Sequence, residues 1–455
     1  MKVVIVGAGE VGFHIASHLA LENKDVLVID RDAEALRRVS DSLDVQVLQG
    51  SGSSPDTLEE AGIHSADIML AVTDSDEANL VACLVASIIS PSTKKLARIR
   101  DAGYDGYHDT FREKAPNIDM VINPEIEVVK TIQRMMQVPG AVDVADFADG
   151  HLKFVCVHLE ENHRFTGAQL AALPLHPDEE RQLIAAIQRD EELIIPRGKD
   201  RLLPGDLVYF ISASEKLEQT LGLFEKQVKP LKRALIVGGG RLGYRLALRL
   251  EQQEGVACKI IEKSQGRCEF LAEHLNKAVV LHGDGSDQSL LAEENVGDMD
   301  VVITLTDAEE TNILASLLTR RMGARKCITK ISKFSYFPLM NTIGIEQVVS
   351  PRLSAINSIL RHVRRGKVLA AISIKGDQAE VLEAVALETS DIVSKPLKSL
   401  KFPKGALLAG IMREDQIIIP TGETVIAPDD RIIIVARREA IPKIEKILAV
   451  KLEFF

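Results

Sequence analysis

The stretch VVIVGAGEVGFHIASHLA occupies residues 3–20 and decides the fold of the first part of the chain. Its aliphatic run predicts a buried parallel strand, and the glycine-rich turn after it leads into an amphipathic helix. In such a turn, the first glycine permits a tight bend and the second lets backbone N–H groups approach a pyrophosphate. The third lets the helix pack close to the strand. Because a helix N-terminus favours an anion, the stretch predicts a dinucleotide-binding α/β domain.

The same pattern returns in the second half of the chain, where ALIVGGGRLGYRLALRLE occupies residues 234–251. The shared register continues through VLVID and CKIIE, QGSGSS and HGDGSD, and AVTDSDEANLVACLVA and TLTDAEETNILASLLT. A second repeat aligns ELIIPRGKDRLLPGDLVYFI (192–211) with QIIIPTGETVIAPDDRIIIV (416–435). Its Pro-x-Gly and Pro-x-Asp between apolar runs predict short strands joined by turns. The chain is therefore a duplication of an α/β part followed by a smaller α+β part.

The predicted fold class is α/β, with two Rossmann-like doubly wound parallel-sheet domains, each followed by a small α+β domain. A chain of 455 residues is long enough for several domains of ordinary size. The predicted divisions are 1–123 (first Rossmann-like domain), 124–140 (junction helix), 141–226 (first α+β domain), 231–349 (second Rossmann-like domain), 350–366 (junction helix) and 367–453 (second α+β domain). Each junction helix carries an apolar stripe, which fits a domain-bridging or dimerisation element as well as packing on the helix's own sheet.

The composition excludes several classes of protein. A net charge of −11 and a pI near 5.6 indicate no general attraction to nucleic acid or to an anionic membrane surface. The basic clusters at 319–326 and 361–367 fit solvated helix faces, or contacts to an acidic partner or lipid headgroup. The sequence shows no apolar run long enough for a membrane span, and the first strand begins too early for a signal peptide. The five cysteines have no paired spacing, so we expect a cytoplasmic protein without a metal site.

The candidate cofactor-binding residues lie in the glycine loops and where the following parallel strands end. In the first half they are Gly7, Ala8, Gly9, Glu10, Val11, Gly12, Asp30, Gly50, Ser51, Thr73, Asp74 and Arg98. In the second half they are Gly238, Gly239, Gly240, Arg241, Leu242, Gly243, Glu262, Gly283, Asp284, Thr306, Asp307 and Lys330.

Each type of residue in these sets has a chemical reason. Asp30 and Glu262 can accept hydrogen bonds from both ribose hydroxyls and would repel a 2′-phosphate, which favours NAD(H) or an adenine nucleotide over NADP(H). The neighbouring Arg31 is expected to point away from the ribose. Arg98 and Lys330 place a cation near the phosphates or the ribose. The Thr-Asp pairs at the ends of the fourth strands are either ligand contacts or helix N-caps.

The chain lacks the sequence features of an enzyme. A dehydrogenase needs a proton donor or acceptor beside the transferred hydride, and the α+β parts carry no recurring His–Asp or Lys–Tyr pairing. No G-x-x-x-x-G-K-[ST] motif is present in the sequence, which excludes a P-loop hydrolase. We therefore predict no catalytic residues.

The duplicated IVGAGEVG, VID, GSGS, AVTDSDEANLVACLVA and ARIR segments, with the P-x-G…P-x-D strands, closely resemble the tandem RCK/KTN family of bacterial Trk-type potassium uptake. The resemblance covers essentially the whole chain. It implies RCK N-terminal domains followed by RCK C-terminal domains, with NAD(H) and ATP or ADP as ligands. It also implies a homo-oligomer (a dimer or tetramer ring) and a Trk-type integral membrane potassium-translocating subunit as partner.

Carried over to this sequence, the family's ligand residues fall on two matching sets. They are Gly7 to Val11, Asp30, Thr73, Asp74 and Arg98 in the first half, and Gly238 to Leu242, Glu262, Thr306, Asp307 and Lys330 in the second. The second set departs from the pattern at Glu262 and Lys330, and Asp284 adds a negative charge. We therefore expect unequal affinities at the two sites.

The expected function is that of a cytoplasmic regulatory subunit, peripheral at the inner face of the plasma membrane, which gates the potassium transporter in response to nucleotide. Two alternatives remain open at this point. One is an NAD-binding sensor with a soluble partner, and the other is an NAD-dependent oxidoreductase. Binding without turnover of NADH would separate a sensor from an oxidoreductase.

Overall fold

The computed structural model describes residues 1–138, 140–173, 182–190, 192–226, 231–363, 368–374, 378–400 and 402–448. These residues form two compact units. The first contains Met1–Glu127 together with the helix that begins at Pro351, and the second contains the described remainder of the chain. The predicted helix end at Gly366 lies outside the described residues, as does the basic stretch 364–367.

The first unit is built on a six-stranded parallel sheet. Its strands are β1 (Lys2–Val6), β2 (Asp25–Asp30), β3 (Gln46–Gln49), β4 (Ile68–Ala71), β5 (Lys94–Arg98) and β6 (Met120–Ile122). Its helices are α1 (Glu10–Leu21), α2 (Ala33–Ser42), α3 (Pro55–Glu60), α4 (Asp76–Ile89) and α5 (His108–Glu113). The strand order is β3-β2-β1-β4-β5-β6, so the direction of winding reverses between β1 and β4. This reversal opens a crevice at the carboxyl ends of the strands, where doubly wound sheets bind ligands.

The first antiparallel sheet follows the helix α6 (Pro124–Gln137). Its strands and final helix are β7 (Asp143–Phe147), β8 (Leu152–His158), β9 (Leu183–Arg189), β10 (Glu192–Ile194), β11 (Leu207–Ala213) and α7 (Leu217–Leu223), in the sheet order β10-β9-β11-β8-β7. The Pro-x-Asp turn ends at Asp206, whose carboxylate is fully buried. It accepts two hydrogen bonds from the Arg189 guanidinium, both at 2.9 Å, and one from the Leu203 backbone at 2.7 Å. The motif therefore fixes the turn before β11.

The second parallel sheet repeats the first. Its strands are β12 (Arg233–Val237), β13 (Ala257–Glu262), β14 (Val279–His282), β15 (Val301–Thr304), β16 (Cys327–Lys330) and β17 (Gln347–Val349), in the order β14-β13-β12-β15-β16-β17. Its helices are α8 (Arg241–Glu251), α9 (Gln265–His274), α10 (Gln288–Glu293), α11 (Glu309–Arg321) and α12 (Phe337–Thr342).

The second antiparallel sheet follows the helix α13 (Pro351–Val363). Its strands and final helix are β18 (Val368–Ile374), β19 (Ala379–Val385), β20 (Ala406–Arg413), β21 (Gln416–Ile418), β22 (Arg431–Arg437) and α14 (Ile441–Leu448), in the sheet order β18-β19-β22-β20-β21. Asp430 takes the place of Asp206, because its buried carboxylate accepts two 2.8 Å hydrogen bonds from Arg413. The predicted α/β fold with two small α+β domains is confirmed.

The two junction helices pack on the sheet of the opposite half of the chain. From Val128 onward, α6 contributes five buried side chains to the core of the second parallel sheet: Val128, Val129, Ile132, Met135 and Met136. The helix α13 packs against α1 and β6 in the first unit. Each apolar stripe therefore covers a sheet that the other half provides, and the alternative of packing on its own sheet is contradicted.

The C-terminal end of α6 is held by a buried lysine. The Lys326 ammonium donates to the carbonyl oxygens of Met135 at 2.6 Å and Ala141 at 3.2 Å. The Gln347 side-chain amide donates to the same Ala141 oxygen at 2.7 Å. Burial lowers the pKa of Lys326 to about 7, although the Asp143 charge acts in the opposite direction. For Lys326, the interpretation of 319–326 as a solvated helix face was wrong, because this side chain joins the second sheet to the chain after α6.

The two antiparallel sheets share one apolar core, which takes Phe154 and Tyr209 from the first and Val381 and Ile433 from the second. A buried carboxylate bridges the same interface. Glu383 accepts from the backbone N–H of Ala148 at 3.2 Å and from Arg431 Nε at 2.7 Å. The two α+β domains thus form a single packed pair within one chain.

Candidate functional site

The glycine loop of the first unit has the geometry that a phosphate group requires. Gly7 has a φ of 114°, a region that favours glycine, and its N–H donates to the Ile29 carbonyl at 2.8 Å. A Cβ at Gly12 would lie 1.8 Å from the Gly7 carbonyl oxygen, so only glycine lets α1 start this close to β1. A Cβ at Gly9, in contrast, would meet no atom within 4 Å. Because Gly9 caps α1 without a side-chain hydrogen bond, the loop combines open space with uncapped helix amides.

Asp30 holds this loop from the end of β2. Its Oδ2 accepts from the Ala8 N–H at 2.6 Å, and its Oδ1 accepts from the Asp32 N–H at 2.9 Å. A carboxylate offers about four lone-pair positions, so two remain for ribose hydroxyls. The backbone of Asp30 also accepts from the Gly50 N–H at 2.8 Å, which brings the end of β3 to the same edge.

Arg31 differs from the prediction. Its Nη2 donates to the Ser51 hydroxyl at 2.8 Å, so the guanidinium reaches toward the end of β3. The expectation that it points away from the ribose position was wrong. The long Arg31 side chain finds its acceptor across the strand ends, and this places a positive charge beside Asp30.

A buried amide that the sequence analysis missed joins the ends of β4 and β5. Asn79 is fully buried, and its Oδ1 accepts from the Thr73 N–H at 2.9 Å and the Thr73 hydroxyl at 2.7 Å. Its Nδ2 donates to the carbonyl oxygens of Thr73 at 3.2 Å and Arg98 at 2.8 Å. The N-cap of α4 is Ser75, which accepts from Ala78 N–H at 3.1 Å. The alternative that Thr73 or Asp74 caps this helix was therefore wrong.

Arg98 brings a buried cation to the same edge. The residue is 9% exposed, and its Nη2 lies 3.5 Å from the Oδ1 of the exposed Asp74. Its Nε has no hydrogen-bond partner among the described residues. Burial lowers the pKa of Arg98, and the positive charges of Arg100 and Arg352 act in the same direction, whereas the Asp74 and Asp76 carboxylates raise it. A largely buried guanidinium whose Nε lacks a described partner is stabilised by an anion, so this end of the crevice fits a phosphate.

The second loop repeats this geometry. Gly238 has a φ of 103°, and its N–H donates to the Ile261 carbonyl at 2.8 Å. A Cβ at Gly243 would lie 2.0 Å from the Gly238 oxygen, whereas a Cβ at Gly240 would meet nothing within 4 Å. Asn312 takes the place of Asn79, since its Oδ1 accepts from the Thr306 N–H at 2.9 Å and its Nδ2 donates to the Lys330 carbonyl at 3.1 Å. Both crevices are therefore built in the same way.

The second loop differs from the first in the residues that surround its second position, Gly239, which aligns with Ala8. Glu262 reaches the loop with one methylene more than Asp30, and its Oε2 accepts from the Gly239 N–H at 2.7 Å. Leu271 stands on α9 where α2 has Val39. A Cβ at Gly239 would lie 2.3 Å from Leu271 Cδ1 and 3.3 Å from Glu262 Cβ. The larger neighbours thus require glycine where the first loop has Ala8.

Charges at the second site are paired more closely than at the first. Lys330 Nζ lies 3.0 Å from the exposed Asp307 carboxylate. Asp284 accepts from the Ser286 N–H and hydroxyl at 2.9 and 2.7 Å and from Lys263 at 2.9 Å. These hydrogen bonds lower the pKa of Asp284 to about 2, with the backbone bond the largest cause. Asp284 is therefore ionised at any physiological pH and adds a negative charge at the end of β14.

Within each crevice the structure brings the candidate residues to one edge of the sheet. Other residues at this edge were missed. They are Arg38 and Arg267, which donate to the loop carbonyls of Ala8 and Gly239, and Asp76 and Glu309, which accept backbone N–H groups after β5 and β16. Asn79, Asn312, Asp76 and Glu309 recur in register within DEAN and EETN, so the repeat itself carried the signal.

The crevices fit an anionic nucleotide rather than a metal ion. The open space at Gly9 and Gly240, the uncapped helix starts and the buried Arg98 provide room and donors for a phosphate. In the part of the chain that the structure describes, no three His, Cys, Asp or Glu side chains converge as metal ligands. None of the helices described there is both long and apolar enough to cross a bilayer.

The fold and the two crevices define a class of protein with paired dinucleotide-type domains, each followed by a small α+β domain. The chain belongs to the TrkA family: the TrkA-N domain matches residues 3–124 and 234–351, and the TrkA-C domain matches residues 156–225 and 381–449. The resemblance inferred from the duplicated motifs is thereby confirmed.

Relatives of known name match the chain over its full length. It is 37% identical over 460 residues to the Trk system potassium uptake protein TrkA of Azorhizobium caulinodans, covering 100% of both chains. It is 36% identical over 452 residues to the Trk system potassium uptake protein TrkA homolog 1 of Methanosarcina mazei, covering 98% of this chain and 99% of the relative.

Solved structures share the fold at lower identity. The GsuK RCK domain is 16% identical with a TM-score of 0.59, covering 98% of this chain and 94% of that one. The GsuK channel bound to NAD is 17% identical with a TM-score of 0.59, covering 98% of this chain and 78% of that one. At such identities the similarity establishes the RCK fold alone.

Proposed function

We propose that this chain is a regulatory subunit without catalytic activity, which binds NAD(H) or ATP and ADP and gates a Trk-type membrane potassium-translocating subunit. The observation that carries the proposal is the doubled glycine loop, open at Gly9 and again at Gly240, with a carboxylate at the end of the next strand. Full-length relatives named as Trk system potassium uptake proteins support the transport role, and the NAD-bound GsuK channel supports the nucleotide.

The proposed ligands are the two sets of candidate residues. The loop amides would hold the phosphates, Asp30 and Glu262 the ribose hydroxyls, and Arg98 and Lys330 the remaining negative charge. The domain divisions predicted from the sequence remain part of this proposal. So do assembly as a homo-oligomer and a peripheral location at the inner face of the plasma membrane.

Regulation follows from differential binding. A nucleotide that binds two conformations of the sensor with unequal affinity shifts the population toward the better-bound one. The transporter would read that shift through its contacts with the oligomer. Ligands with different phosphate charge should therefore differ in their effect on potassium flux.

The test is equilibrium binding of NAD, NADH, ATP and ADP to the full chain and to Gly9→Asp and Gly240→Asp. Both glycines are N-cap residues with room around them, so an aspartate can cap the helix without steric conflict. It also puts a carboxylate where the pyrophosphate would lie. We expect each variant to keep its fold and to lose one class of binding site.

Gly9→Ser and Gly240→Ser are the matched controls, because serine caps the helix without adding charge. Absence of nucleotide binding in the wild type would overturn the proposal. So would binding at full strength in the double aspartate variant. Steady oxidation of NADH with a metabolite would instead point to an oxidoreductase, and unchanged potassium flux in proteoliposomes with every nucleotide would contradict gating.

A further inference from the structure

The second half of the chain provides a cation to the first crevice. Arg352 lies in the first turn of α13, which packs against α1 and β6. Its Nη1 is 3.8 Å from Oε2 of Glu10, the residue that follows Gly9 in the glycine loop and begins α1. An arginine distant in sequence therefore stands beside the proposed phosphate position.

Glu10 lies between two arginines. On its other side, Arg38 Nη1 is 3.2 Å from Glu10 Oε1, while Arg38 Nη2 donates to the Ala8 carbonyl at 3.2 Å. A carboxylate at the first position of a helix is favoured by the helix dipole. Glu10 thus occupies the kind of place that a bound anion takes, with guanidinium groups from two directions.

Arg98 supplies a second, independent observation. The residue is 9% exposed, and its Nε lacks a hydrogen-bond partner among the described residues. Burial and the charges of Arg100 and Arg352 lower its pKa, whereas the Asp74 and Asp76 carboxylates raise it. Two cations directed at one crevice repel each other unless an anion lies between them. The Glu10 carboxylate lies 3.8 Å from Arg352 and compensates its charge. The charge of Arg98 is compensated by Asp74, which is exposed and 3.5 Å away.

The aligned residues of the other repeat carry the opposite charges. In the aligned repeat, Arg241 takes the place of Glu10, and Glu125 takes the place of Arg352. The junction helix of the first half therefore carries an acid where that of the second half carries a base. The helices that follow the two glycine loops also begin with opposite charges, Glu10 in α1 and Arg241 in α8.

We propose that Arg352 is a phosphate ligand of the first nucleotide site, that it leaves Glu10 when a nucleotide phosphate binds, and that it makes this site prefer the nucleotide with the most phosphate charge. The inference rests on the proposed nucleotide-binding function. It predicts that ATP gains more from Arg352 than ADP does, and ADP more than NADH. The contact between Arg352 and the nucleotide also couples α13 to ligand binding at a site formed mainly by the first half of the chain.

The test is calorimetric binding of ATP, ADP and NADH to the full chain carrying Gly240→Asp, so that only the first site is read. Adding Arg352→Gln should weaken ATP binding by about tenfold, the effect of one charge-assisted hydrogen bond, and NADH binding by less than about threefold. Adding Glu10→Gln should strengthen ATP binding, because the competing carboxylate charge is gone. Arg112→Gln is the matched control, an exposed arginine paired with Asp109 on its own helix.

Each outcome has a distinct meaning. If Arg352→Gln and wild type bind ATP equally, the inference fails while the proposed function stands. If Arg352→Gln weakens all three nucleotides equally, or Glu10→Gln weakens ATP binding, the arginine has a structural role and the inference is again wrong. If the chain with an intact first site binds no nucleotide, the proposed function itself fails.

Discussion

Replacing Gly239 by alanine should destabilise the second nucleotide-binding domain, although the first loop carries alanine at the same position. The added Cβ would lie 2.3 Å from Leu271 Cδ1 and 3.3 Å from both Cβ and Oε2 of Glu262. Leu271 is fully buried, so it cannot simply turn into solvent. Ala8 is tolerated in the first loop because its neighbours there, Asp30 and Val39, are each one methylene shorter.

The magnitude follows from two opposing terms. Overpacking of a buried site costs about 1–3 kcal/mol, whereas replacing glycine by alanine stiffens the unfolded chain and returns about 0.4–1 kcal/mol. We therefore expect Gly239→Ala to lower the free energy of unfolding by about 1–2 kcal/mol. Leu271→Val alone should cost about 1 kcal/mol for the lost methylene, and it should remove most of the cost of Gly239→Ala. The two changes should thus couple by about 1–2 kcal/mol.

The assay is native-state hydrogen exchange of the β12 and β13 amides in the full chain, because a chain of several domains does not unfold in one two-state step. Val39→Leu and Ala8→Gly, alone and combined, form the reciprocal cycle in the first loop. Additivity of Gly239→Ala and Leu271→Val within about 0.5 kcal/mol would refute the packing argument.

Three further changes test other parts of the structure. Asp206→Asn should lower the local free energy of unfolding by about 2 kcal/mol, because the buried carboxylate loses its charge against Arg189. Asp430→Asn is the matched variant, and unchanged native-state hydrogen exchange of the β11 amides in Asp206→Asn would contradict this. The pKa of Lys326, about 7 in the folded chain against 10.5 for an ordinary lysine, means that unfolding takes up a proton between these pH values. Stability should therefore rise with pH across that window by at most about 1.4 kcal/mol per unit, and the rise should be absent in Lys326→Met when the two chains are compared by urea titration. Asn79→Leu should weaken nucleotide binding at the first site by about tenfold, because the loops after β4 and β5 lose the amide that both contact. If chains with and without Asn79→Leu, both carrying Gly240→Asp, bind nucleotide with equal affinity, this role of Asn79 is excluded.

Much of the fold could be predicted because its determinants are local and occur twice. The aliphatic strands, the glycine loops and the acids at Asp30 and Glu262 follow from period, turn chemistry and the duplicated register. The Pro-x-Asp turns were predicted as turns, and the structure adds the reason that the aspartates accept from Arg189 and Arg413.

What could not be predicted depends on contacts between distant parts of the chain. The stripe on α6 shows that one face is buried, but a helical period does not say which sheet covers it. The direction of Arg31 depends on Ser51 across the strand ends, and the burial of Lys326 depends on carbonyl oxygens of Met135 and Ala141. The sequence does not single out Ser75 as the cap of α4, because Thr73 and Asp74 before it have equally good capping side chains.

The exchange of junction helices has a consequence for how the protein is made. The first nucleotide-binding domain receives its last helix, α13, from residues 351–363, after the second nucleotide-binding domain has been synthesised. On the ribosome, the α1 surface of the nascent first domain therefore stays uncovered while two further domains are synthesised. A chain truncated after the first α+β domain would contain the first glycine loop and the other residues of the first crevice. It would lack α13, the helix that closes the core of the first nucleotide-binding domain. The duplication has made the two halves translationally dependent on each other, so neither can be lost without exposing apolar surface on the one that remains.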